Sequence, residues 1–208
     1  MTTTDQLIFT IGHSTISADE FLALLQQHEI EAVADVRSSP YSRFNSQFNR
    51  EDLEQLLKAN HISYVFLGNE LGARTDDPTC YVAGRVQYSL LAQTKPFHSG
   101  LDRVARGSQR YRIALMCAEK EPLECHRTLL VAHALVGRGL DVSHIHLDGT
   151  LETHESAMIR LMDLVDVPRS DLFRTHDELV AEALERQERR VAYVNESSSA
   201  MTSHEDLR

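Results

Sequence analysis

The chain has 208 residues, 42% of them hydrophobic and 25% charged, an ordinary globular composition that favours one domain. A chain of this length buries roughly 70% of the surface its unfolded form exposes, so it needs no disulfide or metal to fold. Its formal net charge of −10 repels nucleic acid and anionic membrane at long range, and no apolar run approaches the ~20 residues that cross a bilayer; neither a general nucleic-acid coat nor a membrane partner is expected, while local nucleic-acid recognition stays open.

The first segment, Leu7–Ile11, is a short apolar run that ends at Gly12-His13-Ser14 and reads as a strand. A helix start follows: Ser17 and Glu20 have capping-box spacing, Ile16 and Phe21 fall at the staple positions, and Phe21, Leu22, Leu24 and Leu25 recur at helical spacing up to His28. A second strand, Ala32–Val36, leads into the loop Arg37–Phe44, after which Asn49 has the position of a helix cap, with Leu53, Leu56 and Leu57 as the apolar stripe. Ser63–Phe66 reads as a third strand, followed by a long loop from Leu67 to about Gly84 and helical stretches near 87–95 and 97–106. Arg112–Met116 is a fourth strand that delivers Cys117 to its end. A helix from Pro122 or Cys125 to Arg138 stops at Gly139, and a fifth strand, Val142–Leu147, ends at Asp148-Gly149.

Five alternations of strand and helix imply an α/β fold: a mostly parallel sheet of about five strands with helices on both faces. Ligands of such sheets bind at the C-terminal strand ends. Here those ends bring together Gly12-His13-Ser14, Asp35-Val36-Arg37-Ser38, Leu67-Gly68, Cys117 and Asp148-Gly149. Residues 1–150 read as the α/β core. Residues 151–208 read as a helical extension, amphipathic over 154–165 and 176–190, with a Ser-rich tail expected to be disordered over its last dozen positions. The opening Met1–Gln6 lacks the basic start of a secretory signal, and Cys80, Cys117 and Cys125 form no disulfide framework, so free thiols in the cytoplasm are the expectation.

Four pieces of the chain carry a resemblance when taken in order. They are Thr10-Ile11-Gly12-His13-Ser14 with Phe21; Ala34-Asp35-Val36-Arg37-Ser38 with Pro40 and Ser42-Arg43-Phe44; Leu67-Gly68 with Leu71-Gly72 and Arg74; and Leu115-Met116-Cys117-Ala118-Glu119-Lys120 with Cys125-His126-Arg127. Together they resemble the bacterial and archaeal family called domain of unknown function 488, DUF488. The third piece has Gly72-Ala73-Arg74 where that family commonly has Gly-Gly-Arg. The resemblance implies the fold already read and no established activity.

Cys117 at a strand end and Cys125 at a helix start are the candidate nucleophiles. A helix start and the neighbours His126 and Arg127 favour a thiolate at Cys125, against the plain alternative that both cysteines are small buried hydrophobes. The Cys-x7-Cys spacing matches neither a zinc ribbon nor a Cys-x-x-Cys redox motif; His126 and His13 could complete a four-ligand set, but the sequence assigns no metal and names no cofactor. Leu123 stands where a cysteine phosphatase has its arginine, and the glutamates between the cysteines repel phosphate or thiosulfate, which weakens a faint likeness to rhodanese sulfurtransferases.

Arg37, Arg43, Arg74 and Arg127 all fall near the proposed edge, where a guanidinium fork suits phosphate or carboxylate. The plain alternative pairs each with a nearby acid such as Asp35, Glu70, Glu119 or Glu121. His13 and Glu119 are the candidate proton carriers, with Ser14, Asp35 and Ser38 beside them. Tyr41, Phe44 and Phe48 interleave with Arg37, Arg43 and Arg50, which suits base stacking or a loop pinned by its aromatics.

The preferred expectation is an enzyme or ligand-binding protein for a compact anionic molecule, nucleotide-like or nucleobase-like. Its catalytic candidates are His13, Cys117, Glu119 and Cys125; its ligand-binding candidates are Ser14, Asp35, Arg37, Ser38, Arg43, Arg74, His126 and Arg127. A second expectation is a sulfur-transfer or redox enzyme using Cys117 or Cys125. A third is a non-catalytic module that recognises a nucleic-acid end or a protein through the Arg37–Arg50 loop.

Overall fold

The computed structural model describes residues 7–195, and the expected disorder of the tail falls outside them. Strand β1 (Leu7–Gly12) leads to helix α1 (Ala18–Gln27), whose start is the anticipated capping box: Glu20 N donates to Ser17 Oγ at 3.2 Å and Ser17 N to Glu20 Oε2 at 2.8 Å. Strand β2 (Ala32–Asp35) is followed by a 3-10 turn at Ser46–Phe48 and helix α2 (Arg50–Ala59). Asn49 holds the cap position, but its side chain accepts from Ser42 N at 2.7 Å and so ties down the loop instead of the helix. Strand β3 (Ser63–Phe66) comes next.

The stretch expected to be a long loop after Leu67 is structured. It forms a short helix α3 (Gly68–Leu71), a 3-10 turn at Pro78–Cys80 and a two-residue hairpin, β4 (Tyr81–Val82) with β5 (Arg85–Val86). These pieces are too short to leave a periodic pattern. Helices α4 (Tyr88–Leu91) and α5 (Lys95–Ser108, capped by Thr94) follow, then strand β6 (Ile113–Cys117). The helix expected after Cys117 begins as a 3-10 turn at Pro122–Glu124, runs as a π-helix over Arg127–Ala132 and closes as α6 (His133–Val136). Strand β7 (Asp141–Ile145) ends two residues before the expected Leu147, because His146 turns back to Thr150 to open β8 (Leu151–Thr153), an edge strand the sequence did not announce. Helices α7 (His154–Leu164) and α8 (His176–Val191) complete the chain. Among the described residues no helix is long and apolar enough to cross a membrane.

The strands pair in the order β3-β2-β6-β1-β7-β8, parallel throughout except for β8. The chain thus inserts β6 between β2 and β1, with Gly12 opposite Cys117 and Asp35 opposite Met116. Alternation along each strand separates two apolar layers. Phe9, Ile11, Val33, Ala114 and Met116 pack with Phe21, Leu25, Leu53 and Leu57 from α1 and α2. Ile8, Ala34, Ile113, Leu115 and Cys117 pack on the other face with α5 to α8, including Leu179, Val180 and Ala183 of α8. Cys117 therefore faces the layer that the C-terminal helices close.

Candidate functional site

The insertion of β6 sets the site. Past the strands the ladder continues, with His13 N donating to Cys117 O at 3.0 Å, Ser14 N to Ala118 O at 2.8 Å and Val36 N to Met116 O at 3.0 Å. Two buried polar groups form there side by side.

The first is built around Arg37, which is 6% exposed. Its Nε donates to Asp35 Oδ1 at 2.9 Å and its Nη2 to Asp35 Oδ2 at 2.6 Å and to Phe48 O at 2.9 Å. Tyr64 adds its hydroxyl to Asp35 Oδ2 at 2.8 Å. The fourth direction of the guanidinium meets His13, with Nη1 donating to Nε2 at 3.2 Å. The other ring nitrogen of His13 donates to Ser14 O at 2.8 Å, and the ring stacks on Phe48 with centroids 4.2 Å apart. Burial, then the charge of Arg37, lowers the His13 pKa to about 4, so the ring is neutral. Both of its nitrogens are occupied.

The second group is built around Cys117, Cys125 and His126, all buried. The 3-10 turn carries the chain from Glu121 across to Cys125 and returns it beside the end of β6. His126 Nε2 donates to Val36 O at 3.0 Å, which turns Nδ1 toward the sulfurs, 3.7 Å from Cys117 Sγ and 3.9 Å from Cys125 Sγ. The two sulfurs and Nδ1 all lie within 4.8 Å of one another. Cys125 Sγ donates to Glu119 Oε2 at 2.9 Å and accepts from Arg127 N at 3.4 Å. Arg127 is wholly buried, and its Nη1 and Nη2 donate to Glu119 O at 2.6 Å and Lys120 O at 3.3 Å.

Burial raises both thiols, but the two diverge. Cys125 falls well below the ordinary thiol value because the hydrogen bond with Cys117, the charge of Arg127 and His126 outweigh its burial. Cys117 stays well above it, through burial and its neighbour Cys125. Burial and Cys125 raise Glu119, whereas His126 is raised against its burial by its hydrogen bond to Cys125 and the charge there. Of the two thiols, Cys125 is therefore the more acidic.

A cavity of about 380 Å³ opens above this second group. Cys117, Glu119 and His126 are on its wall, together with Arg37, Ser38 and Arg74. Ser38 Oγ accepts from Arg74 N at 2.9 Å, and the Arg74 guanidinium lies 4.5 Å over the ring of Tyr193. Tyr88 and the C-terminal Val191 and Tyr193 close the far side. A larger cavity of about 750 Å³, between α4, α6 and α8, is lined by residues such as Leu130, His133 and Leu184 and brings no thiol to its wall.

Of the residues singled out in the sequence, Arg37, Ser38, Tyr41, Arg74, Cys117, Glu119 and His126 share this cavity. His13, Asp35, Cys125 and Arg127 lie behind its wall, and Ser14 meets the group only through its backbone. Arg43 is exposed on its loop, outside the lining. The sequence reading missed Tyr88 of α4 and Val191 and Tyr193 at the end of α8, since nothing local marks a residue that reaches the cavity through the packing of distant elements. The donor set Cys117, Cys125 and His126 is the one arrangement among the described residues with the spacing of metal ligands.

No curated protein and no solved structure matches the chain. A family model described as "Domain of unknown function DUF488" matches residues 17–134, a span that holds Arg37, Arg74 and the whole Cys117–Arg127 segment, with His13 before it and Tyr193 after it. More than half of the chain is covered by that match, and the protein belongs to the DUF488 family.

Proposed function

We propose that this protein is an enzyme that takes a compact anionic molecule, nucleotide-like or nucleobase-like, into the 380 Å³ cavity and acts on it at the Cys117–Cys125–His126 cluster. One observation carries the reading: Cys117 is on the cavity wall while His126 Nδ1 stands 3.7 Å from its sulfur, held there by Val36. A sulfur next to an oriented imidazole in a concave site is the arrangement of nucleophilic and acid–base chemistry. The cavity volume suits a small ligand. Arg74 supplies its positive charge, since it forms no ion pair among the described residues, whereas Arg37 is held by Asp35. Tyr41, exposed on the same wall, offers stackable surface to a planar ring.

A second reading is thiol–disulfide chemistry between Cys117 and Cys125, favoured by sulfurs within 4.8 Å of each other. A thermal-shift screen of mononucleotides, sugar phosphates and sulfate, with short single-stranded DNA and RNA at physiological salt beside it, tests the first. Stabilisation by a small anion, weakened roughly tenfold to a hundredfold in Arg74→Ala, is the expected result. Tight oligonucleotide binding with a steep salt slope, and no response to small anions, overturns it in favour of a recognition module.

A further inference from the structure

We propose that Cys117, Cys125 and His126 form a three-ligand site for a thiophilic divalent cation, zinc first, whose fourth coordination position opens into the 380 Å³ cavity. This deepens the proposed function, because it states what the cluster presents to the bound molecule: a Lewis-acidic metal in place of a bare thiol.

The distances fit the cation. Tetrahedral bonds of about 2.3 Å to sulfur and 2.0 Å to nitrogen set ligand–ligand separations of roughly 3.5–3.8 Å. The observed sulfur–nitrogen separations are 3.7 and 3.9 Å. No large movement is needed to close them on one ion. The orientation fits as well. A metal-binding histidine ordinarily donates its other ring N–H to a carbonyl or carboxylate, and His126 gives Nε2–H to Val36 O. Cys125 Sγ accepts a backbone N–H from Arg127, a contact that holds a thiolate ligand in place.

Charge balance supports the same assignment. A divalent cation with two thiolates and a neutral imidazole carries no net charge, which a dry site tolerates. The buried guanidinium of Arg127 is met by the backbone carbonyls of Glu119 and Lys120, at 2.6 and 3.3 Å. Two thiols with one imidazole, and no fourth protein ligand among the described residues, match the catalytic pattern of zinc sites, which keep one position for water or substrate. The open side is settled by the fold: Cys117 and His126 are on the cavity wall and Cys125 is behind it. Glu119, also on that wall, is placed to accept a hydrogen bond from a water bound there.

The test uses the full chain, reduced, stripped with a chelator and titrated with cobalt(II) without oxygen. Sulfur-to-cobalt charge-transfer absorption with tetrahedral-strength ligand-field bands, saturating at one ion per chain and lost when zinc is added, is the expected result. Cys125→Ser and His126→Ala should each weaken binding by at least about tenfold to a hundredfold, judged against the effect of losing even an outer partner of a ligand. Cys80→Ser, which removes the remaining thiol, should leave the spectrum unchanged. A folded wild-type protein, verified by circular dichroism, that shows no charge-transfer band overturns the site, as does a band that survives Cys125→Ser and disappears in Cys80→Ser. The outcome is separable from that of the proposed function. A metal-free cluster beneath a cavity that still binds a small anion removes only the metal, whereas a loaded metal beneath a cavity that binds none removes only the ligand.

Discussion

His126 and Val36 are joined by one hydrogen bond, 3.0 Å from the ring Nε2 to the carbonyl at the end of β2, and that bond decides which nitrogen the sulfurs of Cys117 and Cys125 meet. Because a carbonyl only accepts, Nε2 must carry the proton, and Nδ1 is left for the thiols. The backbone of one strand thus orients the side chain that serves the end of its neighbour, β6. Substituting Val36 cannot remove the carbonyl, so the orientation is built into the sheet.

The first prediction concerns thiol reactivity. In reduced, chelator-treated protein, the Cys117–Cys125 pair should be alkylated before Cys80. Cys125 is held below the ordinary thiol value, while burial and Asp77 raise Cys80. Mass spectrometry after partial labelling measures it, and His126→Ala should slow the pair without affecting Cys80. Equal or faster modification of Cys80 would show that burial, not charge, governs the cluster.

The second concerns Arg37. Its fork is spent on Asp35, Phe48 O and His13, so its main effect is on stability. Asp35→Ala should cost about 3–5 kcal/mol in urea unfolding, because it strands a buried guanidinium. Arg37→Lys should also destabilise, since an ammonium cannot reproduce the two parallel bonds to Asp35. If either variant keeps wild-type stability and loses only ligand affinity, Arg37 belongs to the ligand and not to the fold.

The third concerns Gly12. A Cβ there would sit 1.8 Å from Glu119 O, so the Glu119–Lys120 turn packs directly on the glycine. Gly12→Ala should destabilise by about 1–3 kcal/mol, as overpacking does. It should also displace Glu119 from the cavity wall and weaken the metal and ligand responses together. A stable variant with both responses intact would show that this turn can shift freely.

The sequence exposes much of this and hides the rest for identifiable reasons. Ser17 and Glu20 announce α1 because a capping box is local chemistry, and the strand ends at His13, Asp35 and Cys117 follow from period and turn residues. Strand order is different. Nothing local says that β6 enters between β2 and β1, yet that insertion is what seats Cys117 beside Val36 and Gly12. The arginines look alike in sequence and part in the structure: Arg37 is paired, Arg127 is buried on carbonyls, Arg43 is exposed on its loop, and Arg74 lies on the cavity wall. Only tertiary packing separates them. Tyr193 is hidden for the same reason, since its role depends on α8 folding back over the sheet to meet Arg74.

The last prediction is an acid-sensitive fold. His13 and His154 are both held at about 4, chiefly by burial, and His144, hydrogen-bonded to His154 at 3.2 Å, is lowered as well. Their unfolded value is about 6.5, so between 6.5 and 4 the unfolded chain binds protons that the folded protein refuses. Stability therefore falls as pH falls through that window and is fully present above it. At 1.36 kcal/mol per unit, His13 and His154 each account for roughly 3 kcal/mol at most. His126 does not oppose this: its raised value makes its contribution complete below 6.5, and that contribution is lost only on the alkaline side. Glu119 does oppose it, because a raised carboxyl takes its proton earlier in the folded state and regains stability on acidification. Four lowered imidazoles, His13, His133, His144 and His154, outweigh the two raised carboxyls, Glu119 and Glu188, so the urea midpoint should drop steadily through the window. His154→Gln should flatten that drop, and the His154 imidazole should stay unprotonated by NMR until the lower end of the range. A midpoint that is constant across the window, or a His154 that titrates near its ordinary value, would show that these rings reach water in the folded protein.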